Sequence, residues 1–104
     1  MTKFLQALCL SLSLFAFAAA ADQMTGYISD SKCGAAHTDG SEKSVACVKA
    51  CVKGGLAPVF VTEDNKVLKI DDKSKVTDFL GKKVEVTGSV EDDTLKVDTI
   101  KAAD

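Results

Sequence analysis

The chain of 104 residues has no tryptophan, no arginine, a single proline and a single histidine, His37. Each shortage narrows what the protein does. Nucleic-acid binding rests on clustered positive charge that releases counterions, and single-strand binding adds aromatic platforms on which bases stack. Here 13 basic residues face 15 acidic ones, for a formal net charge of −2. Beyond the amino-terminal stretch the only aromatics are Tyr27, Phe60 and Phe79, so the composition speaks against a nucleic-acid partner. No C-x-x-C pair is present, which removes the motif expected of a dedicated thiol oxidoreductase. G-x-S-x-G, H-E-x-x-H and a glycine-rich phosphate loop are absent too, leaving hydrolase and nucleotide-binding readings without a basis. Asp71-Asp72 and Glu91-Asp92-Asp93 lack the spacing of a calcium loop and read as solvated turn charges.

No apolar run reaches the ~20 residues that a helix needs to cross a bilayer. The longest, Phe4 to Phe17, follows Lys3 and gives way to Ala18-Ala19-Ala20-Ala21, the basic, apolar and small-residue order of a secretory leader. Residues 1–21 are therefore expected to be a signal peptide cleaved after Ala20 or Ala21. Its loss would leave no membrane anchor and would place the product in the periplasm or outside the cell. Cys9 lies early in the run and follows Leu8, not a small residue, which argues against lipidation.

Residues 22–104 form one expected domain, small enough to bury only about 60% of the surface its unfolded chain exposes. Such domains usually need a disulfide, a metal or a partner. The means for either of the first two lie in one stretch, residues 33–55, which carries Cys33, His37, Cys47 and Cys51 as C-x3-H followed by C-x3-C. Three thiols and an imidazole suit zinc, and three thiolates also suit copper(I). Cys47 and Cys51 are spaced to share one face of a helix, with Cys33 and His37 approaching from the loop before it. The competing reading is a disulfide from Cys33 to Cys47 or to Cys51. Cys47 with Cys51 across one helical turn has poor bonding geometry, and an odd number of cysteines leaves one thiol over.

Around this stretch the pattern is mainly β. Met24–Ile28 is strand-prone, closed by the turn-favouring Ser29-Asp30-Ser31, and Gly26 within it marks a bulge or a close backbone approach. A helix is predicted from Glu42 to Lys53, capped by Asp39 or Ser41, with Asp39 and Glu42 at capping-box spacing. Its apolar stripe is Val45, Val48 and Val52, and Gly54-Gly55 stops it before Pro58. Pro58–Thr62 and Lys66–Ile70 form a predicted hairpin about Glu63-Asp64-Asn65. One helical turn over Val76–Leu80 should bury Val76, Phe79 and Leu80. The last two strands are Lys83–Val90, with Val84, Val86, Gly88 and Val90 inward, and Thr94–Lys101, with Leu95, Val97 and Thr99 inward. Ile100 falls out of phase and either caps the sheet or marks a bulge.

Five strands with a helical turn between the third and fourth, opening on T-G-Y-I-S-D and closing with K-V-E-V-T-G, resemble the five-stranded OB barrel. The Cys-containing loop and helix become an insertion after strand 1. More narrowly, S-D-S-K-C-G-A-A-H, A-C-V-K-A-C-V-K-G-G and P-V-F-V-T resemble a group of small secreted bacterial domains of unknown function. That resemblance implies an exported OB-like module with matching Cys33, His37, Cys47 and Cys51, and no activity. The expectation is thus an exported, non-catalytic binding protein holding zinc or copper(I) at these four residues. Its alternative is a disulfide-stapled module, without metal, that binds a small ligand, a peptide, a glycan or an envelope protein.

Overall fold

A computed structural model describes residues 22–36 and 38–103. The expected signal peptide and His37 lie outside the described residues. Five strands, β1 (Asp22–Asp30), β2 (Pro58–Thr62), β3 (Val67–Ile70), β4 (Lys83–Glu91) and β5 (Thr94–Ala102), close into a ring in the order β1-β2-β3-β5-β4. All neighbours are antiparallel except β3 and β5, which run parallel. Among the described residues one α-helix, α1 (Glu42–Lys53), follows β1. Among the described residues no helix is long and apolar enough to cross a membrane.

The inward faces of the strands supply the core. Phe60 at its centre is fully buried, with Ile28, Leu68, Ile70, Val84, Val86, Leu95 and Val97 around it, and Val48 of α1 and Val76 added from outside the ring. In β2, Pro58, Val59, Phe60 and Val61 are all buried, as expected of a strand covered on both sides. The outer cover includes a short 3₁₀ turn at Gly34–Ala36, which packs on β1 and β2.

Glycine lets backbones meet where a side chain would not fit. At Gly26 an added Cβ would collide with the Val61 carbonyl and lie 2.7 Å from the Phe60 ring, so this position is a close approach and not a bulge. Gly81 has φ +78°, and a Cβ there would strike the Val45 backbone of α1. The helix therefore meets the segment that leads into β4 closely at this point.

The register shift falls elsewhere. Thr87 pairs with Thr99 and Gly88 with Val97, which leaves Asp98 as the extra residue of β5. A bulge reverses which face follows. Leu95 and Val97 point inward, Thr99 is turned out, and Ile100 packs against the core. The inward phase predicted for Thr99 is thus corrected, and so is that of Val90, which is 44% exposed where β4 runs past the core. In place of one helical turn before β4 there are two 3₁₀ turns, Lys73–Lys75 and Thr77–Phe79. They still bury Val76 and Leu80 and set Phe79 half-buried.

Candidate functional site

The site is built where β1 ends. Ser29 and Asp30 were expected in a turn, yet they remain in the strand, paired with Val59 and Pro58, and both are fully buried. Their side chains make local bonds without leaving the sheet. The Ser29 hydroxyl donates to the Gly34 carbonyl at 2.6 Å. Asp30 Oδ1 accepts the backbone N–H groups of Lys32 and Cys33 at 3.0 and 2.9 Å. Cys33 is held close to the sheet by this carboxylate, and the 3₁₀ turn that follows is closed by Ala36 N–H donating to the Cys33 carbonyl at 3.0 Å.

The helix brings the other two thiols. Ser41 is its N-cap, accepting the Ser44 N–H at 3.1 Å, while Asp39 Oδ1 accepts from Ser41 N–H at 2.9 Å and from the Ser44 hydroxyl at 2.7 Å. The expected pairing of Asp39 with Glu42 is replaced by this Asp39–Ser41–Ser44 network, because Ser44 is buried and needs a partner. These bonds, led by the Ser41 N–H, hold the Asp39 carboxyl down at about 2. Val48 is buried and Val52 packs on the core, so the predicted valine stripe docks the helix and turns Cys47 and Cys51, one turn apart, to a common side.

Two backbone bonds then join the end of α1 to the end of β1. Leu56 N–H donates to the Cys51 carbonyl at 3.1 Å, and Ser31 N–H donates to the Ala57 carbonyl at 2.9 Å. Cys33 and Cys51 are half-buried, and Cys47 is exposed. Loss of water pushes the Cys51 thiol above its ordinary value; Asp30, then Cys47 and Cys33, push the same way, and Lys32 opposes them.

Cys33 stands just after β1 and Cys47 and Cys51 stand one turn apart on α1, while His37 lies outside the described residues. All three thiols are free, so the expected alternative of a Cys33 disulfide is not formed here. Among the described residues no three histidine, cysteine or acidic side chains already stand as a group able to hold a metal ion. Helix spacing made Cys47 and Cys51 readable from the sequence, but Asp30 was missed. The available signal was local: an aspartate two and three residues ahead of backbone N–H groups that need acceptors. Beside the site, a cleft of about 230 Å³ lies between Ser31, Ala57 and Pro58 on one side and Lys69, Ile70 and Lys73 on the other.

A family model described as a protein of unknown function (DUF5818) matches residues 52–103. The match spans β2 to β5 and begins one residue after Cys51, so all four candidate ligands lie outside it. No curated protein matches the chain, and no solved structure does.

Proposed function

The chain belongs to the DUF5818 family of proteins of unknown function, and we propose that it is an exported, non-catalytic protein that binds a transition metal. Cys33, Cys47 and Cys51 supply three thiolates, and a fourth donor completes the set, for which the sequence offers His37. Zinc is the first candidate and copper(I) the second. In this reading the ring is an OB barrel, a view supported by its strand order and by the parallel pairing of β3 with β5. The insertion after β1 is the binding part in this reading, and its C-G-x-x-H and C-V-x-x-C-V-x-x-G pattern resembles that of small secreted bacterial domains of unknown function.

What supports the proposal is the set of three free thiols carried by two segments that follow one another, Cys33 just after β1 and Cys47 and Cys51 on α1. The donors fit a soft or borderline ion in kind. They are not a preformed cage among the described residues, so metal binding would have to order the insertion as it occurs. Bound metal supplies a positive charge that compensates the thiolates. The protein's part is to surrender their protons, and for Cys51 that proton is held more firmly than in free cysteine. Acid therefore competes with the metal. With free thiols near ~8.5 and imidazole near ~6.5, lowering pH from about 7.5 to about 5 should release the ion.

Native and denaturing mass spectra of the purified protein, with thiol alkylation, test this directly. One bound metal together with three alkylatable thiols after denaturation is the expected result. A metal-free mass two hydrogens light, with one alkylatable thiol, would overturn it. The cluster would then be a staple, and the search for a peptide, glycan or envelope partner would move to the ring and the cleft beside it.

A further inference from the structure

The cleft beside the end of β1 has a cause in the sequence. The β2–β3 ladder stops with Val59 opposite Lys69, while β1 stays on β2 as far as Asp30 opposite Pro58. Pro58 has no N–H to donate to a facing strand. Strand β3 therefore parts from β2 here, and the chain passes into the 3₁₀ turn Lys73–Lys75. The space of about 230 Å³ at this end of the ladder has an apolar lining of Ala57, Pro58, Val59 and Ile70, together with Lys69 and Lys73.

Its charge sets it apart. Three further clefts on the described surface each carry an acid: Glu85 in one, Glu63 and Asp64 in the second, Asp39 in the third. Among the described residues no acid lines this one, and both of its lysines are exposed. In a chain of net charge −2 that is the reverse of the average surface. Neither lysine takes part in the ion pairs among the described residues, Lys66–Asp93 and Lys101–Glu85. The acids nearest in sequence are engaged elsewhere. Asp71 Oδ1 accepts the Asp72 and Val97 N–H groups at 2.7 and 3.2 Å, and Asp72 Oδ1 accepts the Ser74 N–H and hydroxyl at 3.2 and 2.6 Å.

We propose that this cleft binds a small monocarboxylate with a short alkyl or aryl body, the body against Pro58, Val59 and Ile70 and the carboxylate towards the ammonium groups of Lys69 and Lys73. The volume lies below the ~300–1,000 Å³ of drug-sized sites, which suits a short body. Apolar burial supplies most of the affinity, because ion pairs between exposed groups contribute little. The lysines supply the choice of an anion over its neutral or cationic analogue. The assignment is independent of the metal reading and uses none of its donors.

The probe is hexanoate, titrated into ¹⁵N-labelled mature protein with a chelator present throughout, and the readout is the position of the amide signals. Saturable shifts centred on Ala57, Val59, Lys69, Ile70 and Lys73 are expected. Hexan-1-ol and hexylammonium, which share the body, and acetate, which shares the charge, should each bind at least about threefold more weakly. The double variant Lys69→Glu/Lys73→Glu changes exposed side chains only. It should keep a dispersed spectrum and lose the preference for hexanoate over hexan-1-ol. Scattered shifts, or shifts that fail to saturate, would overturn the site. Equal affinity for hexanoate and hexan-1-ol, or an unchanged preference in the double variant, would overturn the part given to the lysines and with it the anionic ligand. A tetrapeptide ending in leucine that binds at least about tenfold more tightly than hexanoate would overturn the small-molecule assignment in favour of a protein terminus.

Discussion

The ring and the insertion are built on opposite terms. The ring is filled by apolar side chains, and its buried residues from β2 through β5 are Val, Leu, Ile, Phe, Pro and Gly. The buried polar residues, Ser29, Asp30 and Ser44, belong to the end of β1 and to the insertion, where Val48 is the one fully buried apolar side chain. An apolar interior is stabilised by area removed from water and tolerates many chemistries outside it. A polar interior holds only when each group finds a partner, which makes it sensitive to what binds there. Stability is thus concentrated in one region and chemical demand in the other, and the family match follows the first of these.

The comparison is broken most severely from the ring side. Phe60→Ala empties the centre of the core and should cost about 3–5 kcal/mol of unfolding free energy, read from urea denaturation. A loss below about 1 kcal/mol would mean that the insertion, and not the ring, carries the stability. Next comes metal removal. At free ion about 100 times above Kd the loaded protein should gain about 2.7 kcal/mol, lost on adding a chelator. Hydrogen exchange should show the change in residues of α1 and hardly at all in β3 to β5. Equal deprotection of ring and insertion would erase the distinction.

Smaller effects sharpen it. Ser41→Ala removes the side-chain cap of α1 and should cost about 1 kcal/mol, seen as lower helicity by circular dichroism. The last prediction concerns acid. Asp39 titrates at about 2 in the folded chain against an ordinary value of 3.8. Its contribution is therefore fully present above pH 3.8 and disappears as pH falls towards about 2. Metal-free protein should lose helical signal from α1 across that window, and Asp39→Asn should flatten this part of the acid profile. An unaltered profile in the variant would show that the Ser41–Ser44 network does not depend on the carboxylate charge.

What was legible in the sequence follows from how local each determinant is. The span of α1, Glu42 to Lys53, was readable because the valine period, a capping serine and Gly54-Gly55 all lie within it or at its ends. So was β2, from Pro58 to Thr62, and its turn through Asn65, which takes φ +66°. The Asp98 bulge was half visible: Ile100 was out of phase, but only pairing with β4 shows which residue is extra. Ser29 and Asp30 were misread because their side chains do what turn residues do while their backbones stay in the ladder. For the site, the i, i+4 spacing placed Cys47 and Cys51 together. The isolation of Asp30 Oδ2 depends on the return of the chain at Ala57, which no local pattern encodes.

That return has a mechanical meaning. The chain leaves the ring at Ser31 and re-enters it at Ala57, and these two points are bonded to each other. The excursion between them begins and ends at one place on the sheet. Cys33 is tied to the same place, through its N–H to the carboxylate of Asp30, the residue before Ser31. Further coupling runs through Val48 and Val52 of the helix, through the contact of Gly81 with Val45, and through the Ser29 and Asp30 side chains and the 3₁₀ turn at the start of the excursion. The ring is thus closed behind the excursion: β2 continues from the point where β1 ends, and an excursion of 25 residues, Lys32 to Leu56, hangs from one hinge.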